Sequence, residues 1–90
     1  MNLITEVNQN KIKTYTKKNF VTEDGREWFC VLNGEYPIGE IKVIYNEDNN
    51  KFIYTGYWKG KLLTGKKHGY GELEKLNFWS FNGIFDDGKI

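Results

Sequence analysis

The sequence predicts an all-β protein, mainly antiparallel, in which residues 1–90 form a single domain. Three observations indicate this fold class. Ten glycines against one proline are typical of a chain with many tight turns. Aromatic residues make up 17% of the chain; they favour strands, and each buries a large area, which so short a chain needs for a stable core. Alanine, the strongest helix former, is absent.

The N-terminal part of the chain is predicted to be a cap or a pair of first strands, comprising residues 1–25. Met1–Asn10 fits either a frayed end or a short first strand, and Leu3–Gln9 is the one segment whose pattern also allows a short helix. Lys11–Thr16 alternates between polar and apolar residues and indicates a strand. Glu23-Asp24-Gly25 is typical of a turn. The remaining residues, 26–90, are predicted to form hairpin repeats.

The central part of the chain contains the clearest hairpin signals. The short apolar run Glu27–Leu32 predicts a buried strand, and the Asn33-Gly34 dipeptide after it favours a two-residue hairpin turn. Gly39–Tyr45 predicts the next strand, with every second residue apolar. The polar segment Asn46–Asn50 is expected to be the loop that leads into a returning strand over Lys51–Trp58.

The C-terminal part of the chain is divided into short pieces by glycines. Tyr70–Leu76 fits either a strand or a single helical turn, and the strand is preferred. Phe78–Phe85 predicts the last strand, and the turn residues Asp86-Asp87-Gly88 follow it.

An internal repeat underlies these segments. The pattern WxCxLxG that starts at Trp28 returns 26 residues later as YxGxWxG at Tyr54, and 27 residues after that as FxGxF at Phe81. A second element also recurs, because YPIGEI at residues 36–41 resembles HGYGEL at residues 68–73.

This order of motifs resembles the MORN repeat family, over about residues 26–90 and best over 52–90. The matching text is YTGYWKGKLLTGKKHGYGEL and FNGIFDDGK. In that family each repeat is a β-hairpin and successive hairpins stack into a twisted sheet, so the resemblance implies stacked hairpins with aromatic rings lying across Gly56 and Gly83. The first unit departs from the pattern in having Cys30 in place of glycine, and the middle unit carries the extra residues Leu62–Gly65. The alternative fold is an unrelated small β-sandwich or barrel.

Charge and cysteine content limit the class of protein. The net charge of +1 argues against a chain built as a whole to bind polyanions, although basic and acidic blocks alternate along it. The single cysteine excludes an internal disulfide and favours a reducing compartment. Because no segment has the pattern of a signal peptide or the length of a membrane span, a cytoplasmic protein is expected.

Residues that carry chemistry are few, so neither catalysis nor a cofactor nor a metal is expected. Cys30 lies within an apolar run and is interpreted as an inert buried thiol, and His68 is interpreted as a turn residue. One histidine and one cysteine fall short of the four ligands of a structural zinc site. Glu72 and Glu74 are interpreted as a solvated strand face rather than an acid/base pair. The segment GKKHG lacks the spacing of a phosphate-binding loop.

Aromatic side chains interleaved with lysines form the candidate partner-binding set, because tyrosine and tryptophan are favoured anchors at interfaces. Its members are Tyr54, Tyr57, Trp58, Lys59, Lys61, Lys66, Lys67, Tyr70 and Trp79.

The preferred hypothesis is a small non-enzymatic protein-binding module, of the inhibitor, immunity or anti-defence type, that blocks or scaffolds a partner protein. The alternative is a binder of an anionic ligand (a nucleotide, a nucleic acid or a lipid head group) that uses Lys59–Lys67 and the neighbouring aromatics. The same residue mixture also suits packing and solubility alone. Bare edge strands would allow homo-oligomers.

Overall fold

The computed structural model describes residues 16–90, which form one six-stranded antiparallel sheet. The strands are β1 (Lys18–Val21), β2 (Glu27–Asn33), β3 (Tyr36–Glu47), β4 (Asn50–Lys59), β5 (Lys66–Lys75) and β6 (Trp79–Phe85). Each strand pairs with the next one along the chain, so the sheet is a series of hairpins in the order β1 to β6. The all-β antiparallel prediction is therefore confirmed. The described residues form neither a sandwich nor a closed barrel.

Two N-terminal predictions concern residues that the structure does not describe. Leu3–Gln9, where the sequence allows a short helix, lies outside the described residues, as does the strand expected at Lys11–Thr16 except for its last residue. The turn predicted at Glu23-Asp24-Gly25 is confirmed, and it joins β1 to β2.

The β2–β3 hairpin is shifted from its predicted position. Asn33 is the last residue of β2 and pairs with Tyr36, so the two-residue loop consists of Gly34 and Glu35. Gly34 has a φ of 65°, in the left-handed region that glycine adopts most readily. The predicted start of β3 at Gly39 was wrong, because the strand begins at Tyr36 and continues through this glycine in a bulge.

The β3–β4 hairpin is tighter than the predicted loop Asn46–Asn50. Glu47 pairs directly with Asn50, so only Asp48 and Asn49 form the loop. Their φ angles are 53° and 67°, and Asp and Asn are the non-glycine residues that best tolerate the two positive φ angles of such a turn. The short side chains therefore allow both strands to extend further than their sequence pattern indicated.

Strand β5 begins at Lys66 and contains His68, so the interpretation of His68 as a turn residue was wrong. Gly56 pairs with Gly71, whereas the next residue of β4, Tyr57, pairs with His68. Two extra residues of β5 therefore form a bulge, and the first of them, Gly69, has a φ of 77°. Tyr70–Leu76 is strand as preferred, except for its last residue.

The two faces of the sheet differ in burial. One row of paired side chains crosses all six strands on the face that we call the core face, and its members are Phe20, Trp28, Val43, Tyr54, Leu73 and Phe81. Trp28, Val43 and Tyr54 are buried, and the other three pack against them. We call the opposite face the outer face. Phe29 of β2 lies on it and is 43% exposed. The predicted strand is present, and its burial is confined to alternate residues, Trp28 and Cys30, which face the core.

A second row on the core face lacks side chains on β4, β5 and β6. Gly56 pairs with Gly71, and Gly71 pairs with Gly83. The ring of Tyr54 lies across the first two of these glycines, since a Cβ at Gly71 would stand 2.8 Å from the Tyr54 Cε1 and Oη atoms. Phe81 lies across Gly83 in the same way, with its Cζ 2.5 Å from the position of such a Cβ. The expected stacking of rings over Gly56 and Gly83 is confirmed.

The hydroxyl of Tyr54 also supports the bulge. It donates a hydrogen bond to the carbonyl oxygen of Tyr57 at 2.8 Å and accepts one from the Tyr57 backbone N–H at 3.0 Å. Both backbone groups lie where the β4–β5 register shifts. A single side chain therefore fills the space above the glycines and satisfies the backbone at the irregularity.

Gly71→Ala should destabilise the fold by about 1–3 kcal/mol, because the new methyl group overlaps the Tyr54 ring. In a Tyr54→Leu background the same change should cost less than about 0.5 kcal/mol, because the three closest atoms to the new Cβ all belong to that ring. Urea unfolding of the wild type, both single variants and the double variant measures this coupling. An equal cost in both backgrounds would contradict the proposed contact.

Candidate interaction surface

The nine predicted partner-binding residues do not form one site, because strand alternation divides them between the two faces. Tyr54, Trp58, Lys67 and Trp79 lie on the core face; Tyr57, Lys59, Lys66 and Tyr70 lie on the outer face; and Lys61 lies in the β4–β5 loop.

Tyr54 and Trp58 serve the core. Tyr54 is fully buried, so its assignment as a partner-binding residue was wrong. The Trp58 ring meets the Trp28 ring edge to face at a centroid distance of 5.1 Å. Its Nε1 donates a hydrogen bond to the Lys61 carbonyl oxygen at 3.0 Å, which orders the start of the β4–β5 loop. Both rings therefore stabilise the sheet.

Lys67 is separated from Lys66 even though the two are adjacent in sequence. The Lys67 Nζ atom lies 5.0 Å from the ring centroid of Tyr45 and 5.7 Å from that of Tyr54, on the core face. Burial lowers the pKa of the Lys67 ammonium group, and the negative charge of Glu47 opposes this effect. Lys66 is exposed on the outer face, so the GKKHG segment does not present a joined pair of lysines.

A cation on the core face was not anticipated from the sequence. The Arg26 guanidinium lies 5.0 Å from the ring centroid of Trp28 and 5.8 Å from that of Trp58. It forms an ion pair with Asp24 at 2.7 Å and donates a hydrogen bond to the Leu63 carbonyl oxygen at 3.0 Å. Arg26 thus ties the β1–β2 turn to the β4–β5 loop, a contact between residues 37 apart that no local motif signals.

Asp24 is held in place by further hydrogen bonds. Its Oδ1 accepts a hydrogen bond from the Thr22 hydroxyl at 2.6 Å, and the same hydroxyl oxygen accepts one from Trp28 Nε1 at 3.0 Å. Hydrogen bonds from Arg26 and Thr22 lower the pKa of Asp24 from 3.8 to about 2.

Besides Phe29 of β2, the outer face carries exposed apolar side chains on the three neighbouring strands β4, β5 and β6. Tyr57 is 47% exposed, Tyr70 is 60% exposed and Ile84 is 64% exposed. Tyr70 of β5 pairs directly with Ile84 of β6. Tyr57 of β4 pairs with His68, which lies two residues before Tyr70 in β5. We call Tyr57, Tyr70 and Ile84 the outer-face patch. Ile84 was missed by sequence analysis. The FxGxF motif contains the signal, because its aromatic and glycine residues share one face and Ile84 therefore lies on the opposite, outer face.

Charges border the outer-face patch on two sides. Lys59 lies directly opposite Lys66. On the outer face, this lysine pair is the next pair after Tyr57–His68. On the other side, Glu72 and Glu74 lie two and four residues beyond Tyr70 along β5. The sequence indicated that both glutamates share a strand face, and their register confirms it. The patch is therefore basic at one end and acidic at the other.

The side chains that could carry chemistry are dispersed over the sheet. Cys30 lies on the core face and His68 on the outer face, so the two do not form a nucleophile–base pair. Burial raises the pKa of the Cys30 thiol, which opposes formation of the thiolate. Within residues 16–90, no group of three or more His, Cys, Asp or Glu side chains is placed to hold a metal ion. The Nδ1 atom of His68 is buried without a hydrogen-bond partner among the described residues.

No protein-family model, curated protein or solved structure matches the chain. Across the part of the chain that the structure describes, no helix is long and apolar enough to cross a membrane.

Replacing Asp24 by asparagine should reduce stability in a pH-dependent way. Because the folded-state pKa is lower than the unfolded one, the carboxylate stabilises the fold above about pH 4, and this contribution is lost as the pH falls towards 2. The wild type and Asp24→Asn should therefore differ at pH 6, by less than about 1 kcal/mol because the ion pair is exposed, and converge near pH 2. Urea unfolding across this pH range measures the difference, and a constant difference would contradict the role of the charge.

Proposed function

We propose that this protein is a non-enzymatic protein-binding module that holds a partner protein against the outer-face patch. The observation that carries the proposal is the exposure of Tyr57, Tyr70 and Ile84 on three adjacent strands of one face. Single exposed apolar residues are ordinary on a protein surface, whereas a group of them on one face is typical of an interaction site. Tyrosine is also among the residues that contribute most to binding energy at interfaces.

The bordering charges define the chemistry of the partner. Lys59 and Lys66 favour carboxylate groups on the partner at one end of the patch, and Glu72 and Glu74 favour basic groups at the other end. The proposed partner therefore presents an apolar centre between an acidic and a basic border. Such complementary charges mainly set the orientation and the association rate, while the central apolar contacts supply most of the affinity.

The class of module is part of the same proposal. The motif order supports a MORN-type array, and the scarcity of reactive groups supports an inhibitor, immunity or anti-defence protein that blocks or scaffolds its partner. The dispersal of Cys30 and His68 onto opposite faces supports a role without catalysis.

The triple variant Tyr57→Ser, Tyr70→Ser, Ile84→Ser should lose at least about tenfold in affinity for the partner, because it removes the apolar centre of the interface. The measurement is capture from cell lysate by the tagged protein, followed by titration of the captured protein. The control triple variant Leu63→Ser, Phe78→Ser, Ile90→Ser removes equally exposed apolar side chains outside this face and should bind as the wild type does. Equal binding by both variants, or no stoichiometric partner, would contradict the proposal.

A second function, the binding of an anionic ligand, is favoured by the direct pairing of Lys59 with Lys66. Like charges opposite each other destabilise a sheet, and a bound anion would relieve this repulsion. The neighbouring Tyr57 ring is exposed and offers a stacking surface for a nucleobase.

Lys59→Gln with Lys66→Gln tests this second function. A labelled single-stranded oligonucleotide and vesicles containing phosphatidylserine are the probes, and binding to either should weaken with salt. For the oligonucleotide, loss of two phosphate contacts should lower the slope of log affinity against log salt by about 1.4. The matched control is Lys42→Gln with Lys75→Gln, which keeps the net charge of the test variant. Unchanged binding after loss of Lys59 and Lys66 would exclude the function.

A further inference from the structure

Strand β6 is an edge of the described sheet and lacks the usual protection of an edge. Its sequence, WSFNGIF, contains no charged residue and no proline. Natural edge strands commonly carry lysine or proline, or are very short, because their free N–H and C=O groups otherwise pair with another strand. The opposite edge follows this rule, since β1 has four residues and begins at Lys18. The contrast indicates that the free edge of β6, the edge that does not pair with β5, accepts a further strand.

The ring-over-glycine contact specifies which residue would lie opposite Gly83. Tyr54 lies across Gly56 of its own strand and across Gly71, the residue paired with Gly56 on the next strand. Phe81 lies across Gly83 of its own strand, two residues further on, with the same spacing. In β6 no next strand within residues 16–90 supplies the second glycine. A strand added there would need a glycine opposite Gly83 to complete the same contact.

The chain itself offers a strand with a glycine at that position. We infer that two copies of this protein pair β6 with β6 in antiparallel orientation, with Gly83 of one copy opposite Gly83 of the other. Phe81 then lies opposite Phe85 of the second copy, as Tyr54 lies opposite Leu73 within the chain. Asn82 lies opposite Ile84 of the second copy on the outer face. The Phe81–Phe85 pairs bring apolar surface together, and residues 81–85, which pair with one another in this register, include no charged side chain.

The dimer would also enlarge the binding surface. The two-fold axis passes between the paired β6 strands, so both outer faces lie on the same side of one continuous sheet. Ile84 of each copy then lies next to the axis, and the two outer-face patches join. The dimer does not depend on the proposed protein-binding function, since the edge pairing rests on β6 alone.

Cysteine cross-linking tests the pairing and its register. Asn82→Cys and Ile84→Cys are prepared as separate chains that differ in mass by a tag, and are mixed and oxidised under native conditions. Residues directly opposite across antiparallel strands have Cβ atoms about 5 Å apart, within reach of a disulfide, whereas diagonal positions are about 7–8 Å apart. The mixture should therefore form the mixed disulfide at least about tenfold faster than either variant forms its own. Light scattering of the wild type should show a mass that rises from one chain to two as concentration increases.

The wild type controls for Cys30, whose buried thiol should not cross-link in the folded protein. Glu74→Cys is the second control, because it lies on the same face one strand inside the edge. A monomer mass up to about 1 mM, well above the dissociation constants of weak interfaces, would overturn the dimer. Preferential cross-linking of Asn82→Cys with itself would overturn the Gly83 register, since that result places Asn82 on the two-fold axis.

Discussion

The structure depends on the Tyr54 ring lying across Gly56 and Gly71. Within residues 16–90 the sheet is a single layer, so its large side chains lie flat along the core face and bury one another. A ring can lie flat only where the backbone beneath it carries no Cβ, and the paired glycines provide that space. The same ring meets Phe85 edge to face at a centroid distance of 5.3 Å, which connects the middle of the sheet to β6. This contact thus joins the aromatic core to the glycine row beneath it.

The sequence predicted the parts of the fold that local patterns encode. Alternation over Gly39–Tyr45 and Lys51–Trp58 marked two strands, and the aromatic-x-Gly motifs marked where rings cross the backbone. The bulges at Gly39 and Gly69 were missed because a glycine within an apolar pattern is compatible with both a turn and a continuing strand. Both errors had one result: strands β3 and β5 were predicted to begin three or four residues too late.

The candidate site was predicted less well, for a related reason. Aromatic residues serve both cores and interfaces, so composition alone does not distinguish buried Tyr54 from exposed Tyr70. Lys66 and Lys67 were grouped by sequence, although adjacent residues of a strand point to opposite faces. Arg26 could not be placed at all, because its contacts to the β4–β5 loop come from tertiary folding.

The bulges connect this architecture to the proposed function. At Gly69 two residues of β5 have no opposite residue in β4, and the second of them is Tyr70. The corresponding bulge at Gly39 inserts Glu40 at the equivalent position of β3. A bulge re-aims side chains without disturbing the ladder on either side, so the inserted residue is free to vary while the rows of the core face are kept. Two hairpins with the same framework therefore present an apolar ring at one bulge and a carboxylate at the other. Partner specificity in such an array would lie in the inserted residues, while the aromatic and glycine rows maintain the sheet that presents them.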